Sequence, residues 1–185
     1  LSFPYMDHAL NLIDTPGHQD FSEDTYRTLT AVDSALMVID VANGVEAQTK
    51  KLFEVCRMQK TPIIAFINKM DRDGREPFAL LEEIEQTLGV ATYPVTWPIG
   101  SGGEFRGVYH RTQGHVLLYA GAERSQINEA VTVPVVDIEC HVGEEIARQF
   151  REELDLISGA GDAFDHARYL AGELVPVFFV SALNN

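Results

Sequence analysis

The chain has 185 residues and a mass of 20.6 kDa, the length of one ordinary domain or of one domain with an insertion. With 45% hydrophobic and 23% charged residues, 14 Gly and 8 Pro, its composition excludes the disordered, collagen-like and disulfide-scaffold classes. Lys and Arg number 14 against 28 Asp and Glu, a formal net charge of −14 that should repel polyphosphate backbones and argues against non-specific nucleic-acid binding and a membrane-surface role.

The opening segment LSFPYMDHAL has no basic region followed by a long apolar stretch, so it does not read as a signal peptide, and it lacks an initiator Met. The expectation is a piece cut from something longer. Apolar runs 9–13 (Ala9 to Ile13) and 34–41 (SALMVIDV) read as strands of a parallel sheet covered on both faces. Between them, 22–32 is helix-like, with Ser22 as N-cap and Glu23 and Asp24 in the first turn. A helix over 46–58, a strand over 62–68, a helix over 77–88 and a strand over 92–97 follow. This alternation predicts an α/β fold of the doubly wound type. The longest apolar runs, 35–39 and 175–180, are strand-sized, far short of the roughly 20 residues that span a bilayer.

From Gly100 the period changes. Gly100 to Gly103 is a glycine-rich connection, and FRGVYHR and GHVLLYAG read as the two strands of a hairpin. A loop runs through Pro134, acidic helices follow over 142–157 and 163–173, and a buried strand over 175–181 closes the pattern. The predicted organisation is a core at 1–99, an α+β insertion at 100–172, and a last strand with its loop at 173–185. Cys56 and Cys140 have neither CxxC nor Cys/His zinc spacing, which fits a reducing, cytoplasmic setting.

Three loops at strand ends carry chemistry. Open α/β sheets place ligands there. The first is Asp14-Thr15-Pro16-Gly17-His18. A carboxylate at Asp14 can hold Mg2+, usually through water, and Gly17 lets a backbone N–H approach a phosphate. Asp, Pro and Gly are also common turn formers, so this string alone admits a plain turn. The second is Asn68-Lys69-Met70-Asp71, after the apolar run 63–67. Asp71 can accept from N1–H and the 2-amino group of guanine, and adenine offers a donor at neither place. Each such charge-assisted bond is worth roughly 1.5–3 kcal/mol. The stem of Lys69 can lie over the base and Asn68 can tie neighbouring loops together, while Met70 receives no side-chain role. The third is Ser181-Ala182-Leu183, whose backbone N–H groups can meet the guanine carbonyl oxygen.

In this order the three strings resemble the G3, G4 and G5 motifs of the translational GTPase G domain family. Among its branches, the stretch DTPGHQDFSEDTYRTLTAVDSALMVID, the string NKMDRD, and PVTWPIG followed by FRGVYH are most similar to bacterial peptide chain release factor 3. The resemblance covers essentially all 185 residues; Gln19, where related factors carry Glu, is a departure outside the motif. It implies a P-loop NTPase-like, mostly parallel sheet, GTP or GDP with Mg2+, and His18 as the residue that positions the attacking water. It also implies a GTP-hydrolysing termination factor that promotes recycling of class I release factors from the ribosome. The alternatives are an elongation factor G-like or ribosomal-protection GTPase, or a non-catalytic guanine-binding or interaction remnant.

No G-x-x-x-x-G-K-[ST] phosphate loop occurs in the sequence. The family's central P-loop strand is therefore expected to be missing, and the chain alone is expected not to hydrolyse GTP at a useful rate. His8, His110, His115, His141 and His166 show no ligand spacing, and Glu82, Glu83, Glu85, Glu144, Glu145, Glu152 and Glu153 read as solvated helix faces.

Overall fold

The structure, a computed structural model, describes residues 1–15, 27–119, 130–159 and 163–182. Its centre is a four-stranded parallel sheet in the order β3-β4-β10-β5, formed by β3 (Ala35–Asp40), β4 (Ile63–Asn68), β5 (Ala91–Pro94) and β10 (Leu174–Phe179). Helix α1 (Ala47–Gln59) connects β3 to β4, and α2 (Pro77–Leu88) connects β4 to β5. The expected α/β class is the observed one.

Local chemistry explains the helix limits. Pro77 stands in the first turn of α2, where its missing N–H costs nothing, and Gly89 ends it in the left-handed region at φ 67°. Leu80, Ile84 and Leu88, at spacings of four, point into the core with Ile39, Ala65, Ile67 and Val177. The expected ends of the helix over 46–58 and the strand over 62–68 move by one residue, within ordinary fraying.

Several expectations change. The run 9–13 does not enter the parallel sheet. Instead β1 (Ser2–Tyr5) and β2 (His8–Asn11) form an antiparallel hairpin of their own, exposed along its length. The two residues between them close a tight turn, with Met6 at φ 49°. β3 is also not covered on both faces: Met37 and Ile39 are buried, whereas Leu36 and Val38 are half exposed or more. A strand alternates its side chains, and only one of its faces meets the core here.

The strand expected over 92–97 is two strands in two sheets. β5 pairs with β10, and β6 (Thr96–Ile99) opens an antiparallel sheet in the order β6-β7-β8-β9 with β7 (Gly107–His110), β8 (His115–Leu118) and β9 (Val131–Val133). The β7–β8 hairpin matches the expectation; β9 lies within what reads as a loop. Where β5 ends, Thr96 takes its place beside β10: its hydroxyl donates to the Phe179 carbonyl at 3.2 Å and accepts from the Phe179 N–H at 2.8 Å. Trp97 follows, fully buried against Phe78 and Phe179, with Nε1 donating to Glu153 Oε2 at 2.7 Å.

The acidic helix over 142–157 is broken by Gly143, φ 87°, into α3 (Ile138–Val142) and α4 (Glu144–Gly159). That expected over 163–173 shrinks to α5 (His166–Leu170), capped by Asp165 Oδ1, which accepts from the amides of Ala167 and Arg168. Of the helix expected over 22–32, the part up to residue 26 lies outside the described residues.

Candidate functional site

β4 and β10 are adjacent parallel strands, so the loops that leave their C-terminal ends start side by side. Backbone bonds join them: Val180 N–H donates to Ile67 O at 2.9 Å and Met70 N–H to Val180 O at 3.2 Å. Asn68 Oδ1 accepts from the Lys69 amide at 2.8 Å and from the Ala182 amide at 3.1 Å, so one side-chain oxygen holds both loops. Ser181, fully buried, donates its hydroxyl to Asp71 Oδ1 at 2.5 Å. The structure thus brings Asn68, Lys69, Met70, Asp71, Ser181 and Ala182 together. Asp71 Oδ2 has no hydrogen-bond partner among the described residues, which leaves one carboxylate oxygen for a ligand donor.

Three contributions to this site carried no clear sequence signal: the side chain of Met70, and the residues Gly102 and Asp40. Met70 is completely buried and anchors its loop in the core, beneath residues that stay accessible. Gly102, in the turn after β6, donates its N–H to Met70 O at 3.0 Å, so the antiparallel sheet supports the base loop from behind. Gly102 has φ 55°, and a Cβ there would lie 2.5 Å from Asp73 Oδ1. Asp40, the last residue of β3, stands in register with Asn68 and forms an ion pair with Lys69 Nζ at 2.5 Å. Its other oxygen accepts from the Ala42 amide at 2.9 Å. The Lys69 hydrogen bond, then that of Ala42, holds the Asp40 carboxyl below the usual carboxylate range. Asp40 is the next-to-last residue of the run SALMVIDV, and only the strand register that sets it beside Asn68 brings it to the site.

The first loop is placed differently. Asp14, exposed, and Thr15, half-buried, follow the β1–β2 hairpin, and no hydrogen bond or ion pair joins them to the base loops among the described residues. Pro16, Gly17, His18 and Leu183 lie outside the described residues. No group of three or more His, Cys, Asp or Glu that could hold a metal occurs among the described residues. Mg2+ needs no such group, because it keeps several waters and takes one or two carboxylates beside substrate phosphates. The accessible oxygen donors of Asp14 fit that demand.

A cavity of about 630 Å³ lies elsewhere, at the opposite end of the sheet where β4, β5 and β10 begin. Arg57, Lys60 and Arg168 line it together with Glu85 and Glu173, and the ends of α1 and α2 face it. Its charges nearly balance once the partial negative charge of two helix C-termini is added. We place the chemistry at the C-terminal ends of β4 and β10, where convergent polar groups stand, and not at this cavity. No helix among the described residues is long and apolar enough to cross a membrane.

A crystal structure of a protein from Thermus thermophilus matches this fold with a TM-score of 0.69 at 24% identity, over 97% of this chain and 28% of that one. The chain therefore spans 28% of the length of that neighbour, and the likeness is one of fold. The family model of the elongation factor Tu GTP binding domain matches residues 1–185, the whole chain, and the chain belongs to that family.

Proposed function

We propose that this chain carries the guanine-recognising part of a translational GTPase of the release factor 3 kind, which uses GTP to promote departure of class I release factors from the ribosome. The observation that carries the guanine reading is the clamp at the ends of β4 and β10, where Asn68 and Ser181 fix the loops and leave Asp71 Oδ2 open. A guanine ring entering there donates N1–H and its 2-amino group to the Asp71 carboxylate, one to Oδ2 and the other to the lone pair of Oδ1 that Ser181 leaves free, and the stem of Lys69 covers one face. The release factor reading rests on the sequence wording EDTYRTLTAVD and GVYH.

In this proposal His18 orients the attacking water and Asp14 holds Mg2+ through water. The ion supplies neutralisation of the charge that develops on the transferred phosphoryl group. Gly17 gives a backbone N–H to the terminal phosphate. Without a G-x-x-x-x-G-K-[ST] loop, nothing in this sequence cradles the remaining phosphates, and the 185-residue chain alone releases no phosphate from GTP above buffer.

The test uses the protein that joins this domain to a glycine-rich phosphate loop. Labelled class I release factor, bound to ribosomes after peptide release, should leave faster when that protein and GTP are added. Release factor that stays bound with GTP present contradicts the proposed role, and steady phosphate release by the 185-residue chain contradicts the assignment of the missing loop.

A further inference from the structure

The Lys69 backbone is left-handed, φ 68°, a conformation that L-residues other than glycine rarely adopt. Such a conformation persists where the surroundings over-determine it. Two contacts do so here: the Asn68 Oδ1 bond to the Lys69 amide and the Asp40 bond to its ammonium. The ammonium therefore points along the strand ends toward β3. Lys69 and Asp71 are only two residues apart in one loop and carry opposite charges, yet the structure forms no ion pair between them. A Lys69 ammonium resting on Asp71 would occupy the oxygen that a base must reach.

We propose that Asp40 is a specificity-positioning residue of the base site: it draws the Lys69 ammonium to the β3 side and so keeps the Asp71 carboxylate free to read guanine. This rests on the guanine reading given above. Asp40 is suited to the task because the parallel register places it beside Asn68 and its second oxygen is already held by Ala42 N–H. It does not touch the base. It acts through Lys69.

The test uses the 15N-labelled chain titrated with guanosine, adenosine and xanthosine 5′-monophosphates, read from the amides of Lys69, Asp71 and Ala182. In Asp40→Asn the carbonyl oxygen still accepts from Ala42, so the turn after β3 is kept while the charge facing Lys69 is lost. The preference for the guanine over the adenine nucleotide should fall about two- to fivefold, the range expected for a partly exposed ion pair. Asp40→Glu should restore part of it. The decisive variant is Asp40→Asn with Lys69→Met, which removes the competing ammonium and keeps an apolar stem. It should recover guanine preference to that of Lys69→Met alone, a rescue that a merely structural Asp40 does not permit. Unchanged preference in Asp40→Asn, alongside a loss in Asp71→Asn, overturns the role of Asp40 alone, as does a loss that Lys69→Met fails to rescue. A wild-type chain with no guanine preference overturns the base site, and the role of Asp40 with it.

Discussion

Thr96→Val isolates the joint between the two sheets. β10 runs on past the end of β5, so at Phe179 the backbone has no strand partner on that side, and the Thr96 hydroxyl serves both its N–H and its carbonyl. Val keeps the shape of Thr and removes both bonds. Each net bond is worth about 0.5–1.5 kcal/mol, and a buried group left unsatisfied costs about 1–3 kcal/mol. The two losses together should lower stability by about 2–4 kcal/mol, which for a chain of this length is a fall of roughly 4–16 °C in Tm. Trp97 is the single tryptophan, is fully buried and directly follows the mutated position. Its fluorescence during urea unfolding therefore reports on the joint itself. A change smaller than about 0.5 kcal/mol, the scale of an ordinary surface substitution, would refute the reasoning that this hydroxyl stands in for a strand.

Other consequences follow from single contacts. Gly102→Ala places a Cβ in a left-handed turn and against Asp73, so it should strain the turn under Met70 and lower the melting temperature by more than Gly103→Ala, where nothing stands within 4 Å; equal effects would contradict the steric account. His110 has its pKa lowered, first by burial and then by the neighbouring His115. The fold therefore disfavours its charged form, and stability should fall as pH drops through the ordinary histidine range toward the lower folded value. Urea titrations between pH 8 and 5 should show that slope, and a shallower one in His110→Gln; identical slopes would contradict it. Arg148 pairs with Glu145 and Glu152 on the open face of α4, and Arg148→Ala should leave thermal stability unchanged within error, because exposed pairs are screened and mobile.

What the sequence made legible was local. Pro77 and Gly89 mark both ends of α2 in the chain itself, and the runs around Ile63 to Ile67 and Val175 to Phe179 carry their burial in their composition. The motif loops fall at strand ends for the same reason: a polar cluster after an apolar run has nowhere else to go. What stayed hidden depends on neighbours distant in sequence. Residues 9–13 are apolar enough for a buried strand, but which strand they pair with is a long-range fact, and here the partner is β1. The chain changes sheets at Val95, whose N–H bonds Val177 O at 2.8 Å, without a residue type that announces it. Within the site, the positions of Asn68, Asp71 and Ser181 were legible because they sit in short strings, although Ser181 acts through its hydroxyl on Asp71 and not through the backbone N–H expected of its loop. Met70, Gly102 and Asp40 were not, since their parts arise from depth, from a contact with the second sheet, and from strand register. The residues Pro16 to His18 and Leu183 keep their sequence-based expectations.

The most direct measurement of the central claim is the relative affinity of the chain for guanosine and xanthosine monophosphates, before and after Asp71→Asn. Two charge-assisted bonds with modest stacking correspond to binding near the millimolar range, within reach of an NMR titration. In the wild-type chain the guanine nucleotide should bind more tightly, because a carboxylate accepts from its 2-amino group and repels the 2-oxo group of xanthine. In Asp71→Asn the side chain gains a donor, and the order should reverse. An unchanged order, or shifts that avoid Lys69, Asp71 and Ala182, would contradict a guanine site at the ends of β4 and β10.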